Sequence, residues 1–314
     1  MAKTRQTKPG AERNALRPDR IETYHVESPA TLLDFLLKAM PDRKRTTVKE
    51  LLKHNQVAVN STPVSQFNLQ LQPGDTVKIN LTREFRVFYN RRLKIVYEDD
   101  DIIVVNKGYG LLSMGNDKVK DGTAYSILKE YVKWGNPSNK IFIVHRLDRD
   151  TSGLMVFAKN EEAKNALQHN WNNMVLNRKY VAVVEGIPEP ASGTCRSYLA
   201  ENTQHEVYST QKPEEGKLAV TRYSTIAAGK GYALMEVELD TGRKNQIRVH
   251  MSDLGHPISG DRRYGAESSP IHRLALHAQT LRFVHPVTHK EMNFTTPIPA
   301  GFLSMVKTPF PNIC

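Results

Sequence analysis

Residues 141–158 read IFIVHRLDRDTSGLMVFA. The apolar run Ile141 to Val144 leads into His145-Arg146-Leu147-Asp148-Arg149-Asp150, Thr151-Ser152-Gly153 forms a turn, and a second apolar run extends from Leu154 to Ala158. Two β-type runs around a polar tip predict strand, loop, strand, the arrangement in which a scaffold holds reactive groups rigidly. Asp148 is the residue to weigh first. On spacing alone two readings stay open: a surface loop in which Asp148 and Asp150 neutralise Arg146 and Arg149, or a site built on one carboxylate.

Outward from this stretch the pattern stays mixed. Ile95-Val96-Tyr97 and Ile102 to Val105, across the acidic Glu98 to Asp101, predict two strands and a turn, and residues 123–134 predict a helix. Residues 161–175 predict another, with Ala163, Leu167, Trp171 and Met174 about four apart; Trp171 and Met174 read as core. Tyr180 to Val184, Arg222 to Ile226, Ala233 to Leu239 and Gln246 to Val249 then read as strands. His250, His256, His272 and His277 read as hydrogen-bonding or partner-contacting groups, because no cysteine pair or HExxH accompanies them, and no metal site is expected.

The front of the chain differs. Residues 1 to about 20 are polar, basic and poor in large apolar side chains, which predicts disorder. Ser28 and Pro29 predict the start of a helix carrying Leu32, Leu33, Phe35, Leu36 and Leu37, and Thr47 with Glu50 predicts a capping box for a second, with Val48, Leu51 and Leu52 on one side. Arg43, Lys44 and Arg45 precede that second helix, and Lys49 and Lys53 lie on its other face. Val57 and Val59, then Val77 and Ile79 after Pro73-Gly74-Asp75, predict short strands.

The net charge is +11, which favours a polyanionic partner through phosphate neutralisation. Residues 1–90 hold 15 Lys and Arg against 9 Asp and Glu, a surplus of 6 and over half the total. No apolar run approaches the length of a membrane span, the first 20 residues are unlike a secretory signal, and the two cysteines, Cys195 and Cys314, suit a reducing compartment. A cytoplasmic protein without membrane association is the expectation.

Several stretches together carry a resemblance. HRLDRDTSGL (145–154), NRKYVAVVEG (177–186), LDTGRKNQIRVHM (239–251), GHPISGDRRYG (255–265) and HRLALHAQTLRFVHP (272–286) are similar, in order, to blocks of the RluA-type pseudouridine synthases. The resemblance covers roughly 85–304, and residues 28–80 resemble an S4-like RNA-binding domain. It implies an α+β fold: a mixed, largely antiparallel sheet with flanking helices, preceded by the small α/β S4-like domain. The organisation expected is a basic tail 1–21, the S4-like domain 22–81, a linker 82–92, the catalytic domain 93–306 and a tail 307–314.

The resemblance also implies the chemistry. Pseudouridine formation breaks the N1 to C1′ bond of a uridine, turns the base and rejoins it through C5, with no redox or energy input and hence no cofactor. Asp148 matches the active-site aspartate, attacking C1′ or taking the 2′ proton. A carboxylate ionised in a dry pocket needs a fixed cation beside it, and the family's arginine falls on Arg248; its tyrosine falls on Tyr180, whose ring can stack on uracil while the hydroxyl handles the C5 proton. Arg146 is a candidate to fill the RNA stack that the flipped base leaves. Lys107, His145, Arg149, Arg243 and Lys244 are candidates for phosphate or sugar contacts, as are Arg43, Lys44, Arg45, Lys49 and Lys53 in the front module.

Two positions depart from the family pattern: Gly108 replaces a proline, and Asn245 replaces a histidine. The partner expected is RNA, ribosomal first and transfer RNA as the alternative, acted on by a monomer. A non-catalytic RNA-binding or ribosome-assembly protein is a rival reading. A nucleic-acid glycosidase is another, weakened because Asp150 is the only nearby second acid.

Overall fold

The computed structural model describes residues 20–60, 62–85, 88–115, 119–134, 136–306 and 308–309. Residues 1–19 of the expected basic tail and nearly all of the expected tail 307–314 lie outside them. The chain divides into two compact units, Met1–Val87 and Phe88–Cys314. No helix among the described residues is long and apolar enough to cross a membrane.

In the first unit an antiparallel sheet runs Ile21–His25, Thr76–Asn80, Val57–Val59, Thr62–Pro63. Two helices, Leu32–Ala39 and Arg45–Lys53, bury Leu32, Leu33, Leu36, Val48, Leu51 and Leu52 against Val57, Val77 and Ile79. The first helix begins later than Ser28-Pro29 implies. Ala30 and Thr31 pair with Leu71 and Gln70 as a short strand, and the Thr31 hydroxyl then caps the helix by accepting from the Asp34 amide. The second begins earlier than the Thr47 capping box implies, with Lys44 as an N-cap that makes no side-chain bond, which leaves Thr47 inside the first turn. Arg43, Lys44, Arg45, Lys49 and Lys53 are all exposed.

The second unit is built on a 12-stranded sheet. Its main path runs Val207–Thr210, Ser192–Glu201, Lys217–Gly229, Tyr232–Leu239, Val175–Glu185, Leu276–Val284, Ser152–Ala158, Ile102–Lys107, Leu93–Glu98. Every pairing on this path is antiparallel except one, Ser152 and Gly153 with His277 and Ala278. The α+β architecture with a largely antiparallel sheet is therefore present.

All seven residues of Ser152–Ala158 are buried, because both faces of the sheet are covered here. Ile103, Val105, Met155 and Phe157 pack on one side with Leu128 and Val132 of the helix Ala124–Val132. Ile102, Val104, Leu154 and Val156 pack on the other with Ala163 and Leu167 of the helix Glu161–His169. Strand residues alternate between faces, so double coverage demands a continuous apolar run.

Three expected elements differ. Only Phe142–Ile143 of the first apolar run is strand, and the helix over 161–175 breaks at Asn170 into Glu161–His169 and Trp171–Met174. The strand expected over Gln246–Val249 is instead the start of a helix, Gln246–Asp253. Four alternating residues are too few to separate the two periods. Asn245, at φ +54, turns the chain into that helix, a left-handed conformation that asparagine tolerates.

Candidate active site

Asp148 sits on a loop whose backbone is clamped on both sides. The buried Ser113 hydroxyl donates to the Leu147 carbonyl at 2.6 Å and accepts from the Leu147 amide at 3.1 Å. The Lys107 ammonium donates to the carbonyls of Arg149, Gly108 and Leu111 at 3.1, 3.1 and 2.8 Å. Three acceptors match the three protons of an ammonium. Burial pushes the Lys107 pKa down to about 7, against the opposing pull of the Asp148 and Asp150 charges.

The strand leaving the loop crosses its parallel neighbour at Gly153. There φ is +121, and a Cβ would lie 2.5 Å from the Ala278 amide nitrogen and closer still to its carbonyl oxygen. Only glycine permits this approach. Within this frame 27% of the Asp148 side chain remains open to solvent.

Arg248 faces Asp148 across 3.8 Å, from Nη1 to Oδ2. Its orientation is set from behind. The buried Asp261 carboxylate accepts from Nε and Nη2 at 2.7 and 2.7 Å, the Asn245 carbonyl oxygen accepts from Nη1 at 3.2 Å, and the Tyr264 ring lies 4.8 Å from the guanidinium carbon. Asn245 also donates to the Tyr264 hydroxyl at 3.0 Å. The departure at Asn245 thus belongs to the cradle of Arg248, a role that hydrogen bonding fills without charge.

The helix carrying Arg248 is itself docked through polar groups. The Gln246 side chain accepts from the Thr241 hydroxyl and the Arg243 amide and donates to the Val220 carbonyl and the Thr221 hydroxyl, while His250 bridges Ser197 and Thr221. Buried polar groups satisfied in this way specify one orientation, since any other leaves them unpaired.

Burial raises the Asp148 pKa above the usual carboxylate range; Arg248, Arg146 and Lys107 oppose the rise and Asp261 adds to it. Tyr180, on Val175–Glu185 opposite Val237 and Ala278, has its phenol pushed up by burial, with Arg178 opposing and Asp148 adding. Its hydroxyl is therefore protonated near neutrality and able to donate. Asp148, Arg248, Tyr180 and the exposed Arg146 converge electrostatically.

The expected sugar and phosphate contacts divide. Lys107 is 0% exposed and bonded to three carbonyls, so it clamps the loop and cannot meet a phosphate. His145 accepts from the Val156 amide at 3.0 Å and lies against Trp171, and burial drives its pKa down to about 3. It is a neutral framework group in place of the expected phosphate or sugar contact. Arg149 is exposed but pairs with Asp150, and Arg243 is exposed with Nε on the Leu218 carbonyl. Lys244 lies 2.6 Å from Glu201. Arg43, Lys44, Arg45, Lys49 and Lys53 belong to the other unit.

Ser113, Asp261 and Tyr264 escaped the sequence reading as functional positions, although Asp261 and Tyr264 lie in the quoted GHPISGDRRYG. Among the described residues Asp99, Asp101 and His285 gather three potential metal-ligand atoms within 4.8 Å. His285 Nδ1 accepts from the Val287 and Thr288 amides, which leaves Nε2 to donate to Asp99. That donor set is already engaged in hydrogen bonds.

Comparison with known proteins gives a consistent set of relatives. A family described as RNA pseudouridylate synthase matches residues 101–253. The Bacillus subtilis protein named uncharacterized RNA pseudouridine synthase YhcT is 32% identical over 280 residues, 88% of this chain and 92% of that one. Ribosomal large subunit pseudouridine synthase D of Salmonella typhimurium is 32% identical over 288 residues, 86% of this chain and 88% of that one. The solved human RNA pseudouridylate synthase domain containing 4 has a TM-score of 0.57 at 26% identity, covering 70% of this chain and 95% of that one.

Proposed function

The chain belongs to the RNA pseudouridine synthase family, of RluA type, and on that premise we propose that Asp148 is the catalytic carboxylate of an isomerase acting on uridines of large-subunit ribosomal RNA. The observation that carries the assignment is the Asp148 carboxylate at 3.8 Å from Arg248, partly open on a clamped loop. Arg248 favours the ionised form that burial disfavours. Asp148 then acts on the ribose of a flipped uridine as the N1 to C1′ bond breaks. The freed base turns in place, C5 joins C1′, and the C5 proton leaves while N1 gains one. Tyr180 offers a ring to the uracil and a protonated hydroxyl near the exchanging atoms.

Arg146, exposed two residues before Asp148, fills the gap in the RNA stack. The first unit, an S4-like RNA-binding module in this reading, grips phosphates through Arg43, Lys44, Arg45, Lys49 and Lys53. Ribosomal RNA is favoured because relatives spanning most of this chain carry ribosomal large-subunit names. The enzyme works in this reading as a cytoplasmic monomer.

The test is tritium release from RNA labelled at uridine C5, with the purified chain beside Asp148→Asn. Release by the unaltered chain alone supports the assignment. Equal release by both chains removes Asp148 from the catalytic role, and release by neither from precursor ribosomal RNA favours a non-catalytic RNA-binding protein.

A further inference from the structure

Tyr109 is 52% exposed, yet the backbone around it is pinned at four points. The Gly108 amide donates to the Arg92 carbonyl at 2.7 Å, and the Arg92 guanidinium reaches the Gly110 carbonyl at 3.4 Å. Lys107 holds the Gly108 and Leu111 carbonyls at 3.1 and 2.8 Å. A Cβ at Gly108 would lie 3.0 Å from the Arg92 carbonyl oxygen, so Tyr109 is the one side chain presented between two glycines. The loop is fixed while its aromatic ring stays about half exposed on the surface.

One face of the ring is already covered. The Arg273 guanidinium carbon lies 4.6 Å from the Tyr109 ring centroid, and Phe302 lies 5.3 Å away on the same cation. Arg273 cannot swing aside easily: it donates through Nη2 to the Ser152 hydroxyl at 2.7 Å and through Nε to the Leu274 carbonyl at 3.0 Å. A held cation on one face of an aromatic ring leaves the other face for a stacked partner.

The position of this shelf follows from shared supports. The ammonium that pins Gly108 and Leu111 also holds the Arg149 carbonyl next to Asp148, and Ser152, which anchors Arg273, closes the same loop. When a base leaves its stack for chemistry, its neighbours lose a stacking partner. An aromatic surface replaces that partner without regard to sequence, since every base has a π face.

We propose that Tyr109 is a stacking shelf for the base of a nucleotide beside the reacting uridine, with Arg273 as its fixed cationic backing. The assignment rests on the reading that RNA enters the cleft at Asp148. The full chain carrying Asp148→Asn, which separates binding from turnover, is titrated with a single-stranded oligouridylate and with an abasic ribose-phosphate oligomer of equal length. Preference for the base-bearing oligomer is expected to fall about tenfold in Tyr109→Ala and to persist in Tyr109→Phe. A Tyr109→Trp chain is expected to lose tryptophan emission with oligouridylate and to keep it with the abasic oligomer.

An unchanged preference in Tyr109→Ala together with unchanged emission overturns the proposal. The RNA then sits elsewhere, or the shelf serves a protein. The catalytic assignment fails by a different readout, tritium release that survives Asp148→Asn, so the two failures are distinguishable.

Discussion

Asp261 holds Arg248 by two parallel hydrogen bonds of 2.7 and 2.7 Å, while Asp148 waits 3.8 Å from the remaining nitrogen. The fork of the guanidinium is thus committed to the buried Asp261 carboxylate, and Asp148 receives charge without a bidentate bond. Both Asp148 oxygens stay available to a ligand. Removing the Asp261 charge frees Arg248 to close on Asp148, the nearest remaining carboxylate. Asp261→Asn is therefore expected to move the acid limb of kcat/KM to lower pH and to cut kcat roughly tenfold or more. A full pH profile checks both, and loss of rate with an unmoved limb contradicts the account.

Arg248→Met has the opposite sign. Burial already raises the Asp148 pKa, and Arg248 is the largest influence opposing it. Without that cation the carboxylate protonates at higher pH, so the acid limb is expected to rise and the rate near neutrality to fall by about 100-fold. The comparison of limbs in Asp261→Asn, Arg248→Met and the unaltered chain separates orientation from charge.

Gly153→Ala tests the crossing that supports the Asp148 loop. The added methyl meets the Ala278 backbone at a φ of +121, and neither the methyl nor that backbone has room to yield. A loss of about 3 kcal/mol is expected from overpacking and backbone strain. Denaturant unfolding measures it, and a loss under about 1 kcal/mol shows that the strands can separate there.

His277 sets a pH dependence of stability. Its Nε2 faces the Thr296 hydroxyl, its Nδ1 faces Ser152, and Arg273 lies beyond Ser152, so burial and that cation push its pKa down to about 4. The unfolded chain binds a proton from about pH 6.5 downward that the folded chain refuses until about pH 4. Stability from this group is complete above pH 6.5 and declines as pH falls, by on the order of 3 kcal/mol at pH 4. Urea midpoints across this range check the slope, which is expected to flatten in His277→Gln.

Arg43, Lys44, Arg45, Lys49 and Lys53 are exposed on one helix and its approach. If they contact phosphates, replacing all five by glutamine weakens RNA binding and lowers the dependence of log K on log salt by roughly 0.7 for each phosphate no longer neutralised. Filter binding at several salt concentrations measures the slope. An unchanged slope removes this helix from the RNA path.

Ser152–Ala158 and Ile102–Lys107 were legible through their apolar runs because both of their faces are buried, and Asp148 stood out at the polar tip before the first of them. Ser192–Glu201 and Leu276–Val284 were not read as strands, since polar residues interrupt their apolar pattern. Some of those polar residues, Ser197 and His277, are buried and satisfied by partners 53 and 125 residues away. Local pattern carries no record of such distant pairings.

The linear order of side chains determined the charge asymmetry, the helices and strands with clear periods, and the neighbours of Asp148 along its loop. Tertiary structure alone decided how the cations around Asp148 are directed, with Arg248 held 3.8 Å from it and Lys107 turned to the backbone. Lys107 and Arg248 are both basic side chains, but Lys107 is turned to three backbone carbonyls and Arg248 is oriented toward Asp148 by Asp261. Sequence specifies that a charge is present; its direction depends on hydrogen-bond partners that come together only when the sheet and the Gln246–Asp253 helix pack.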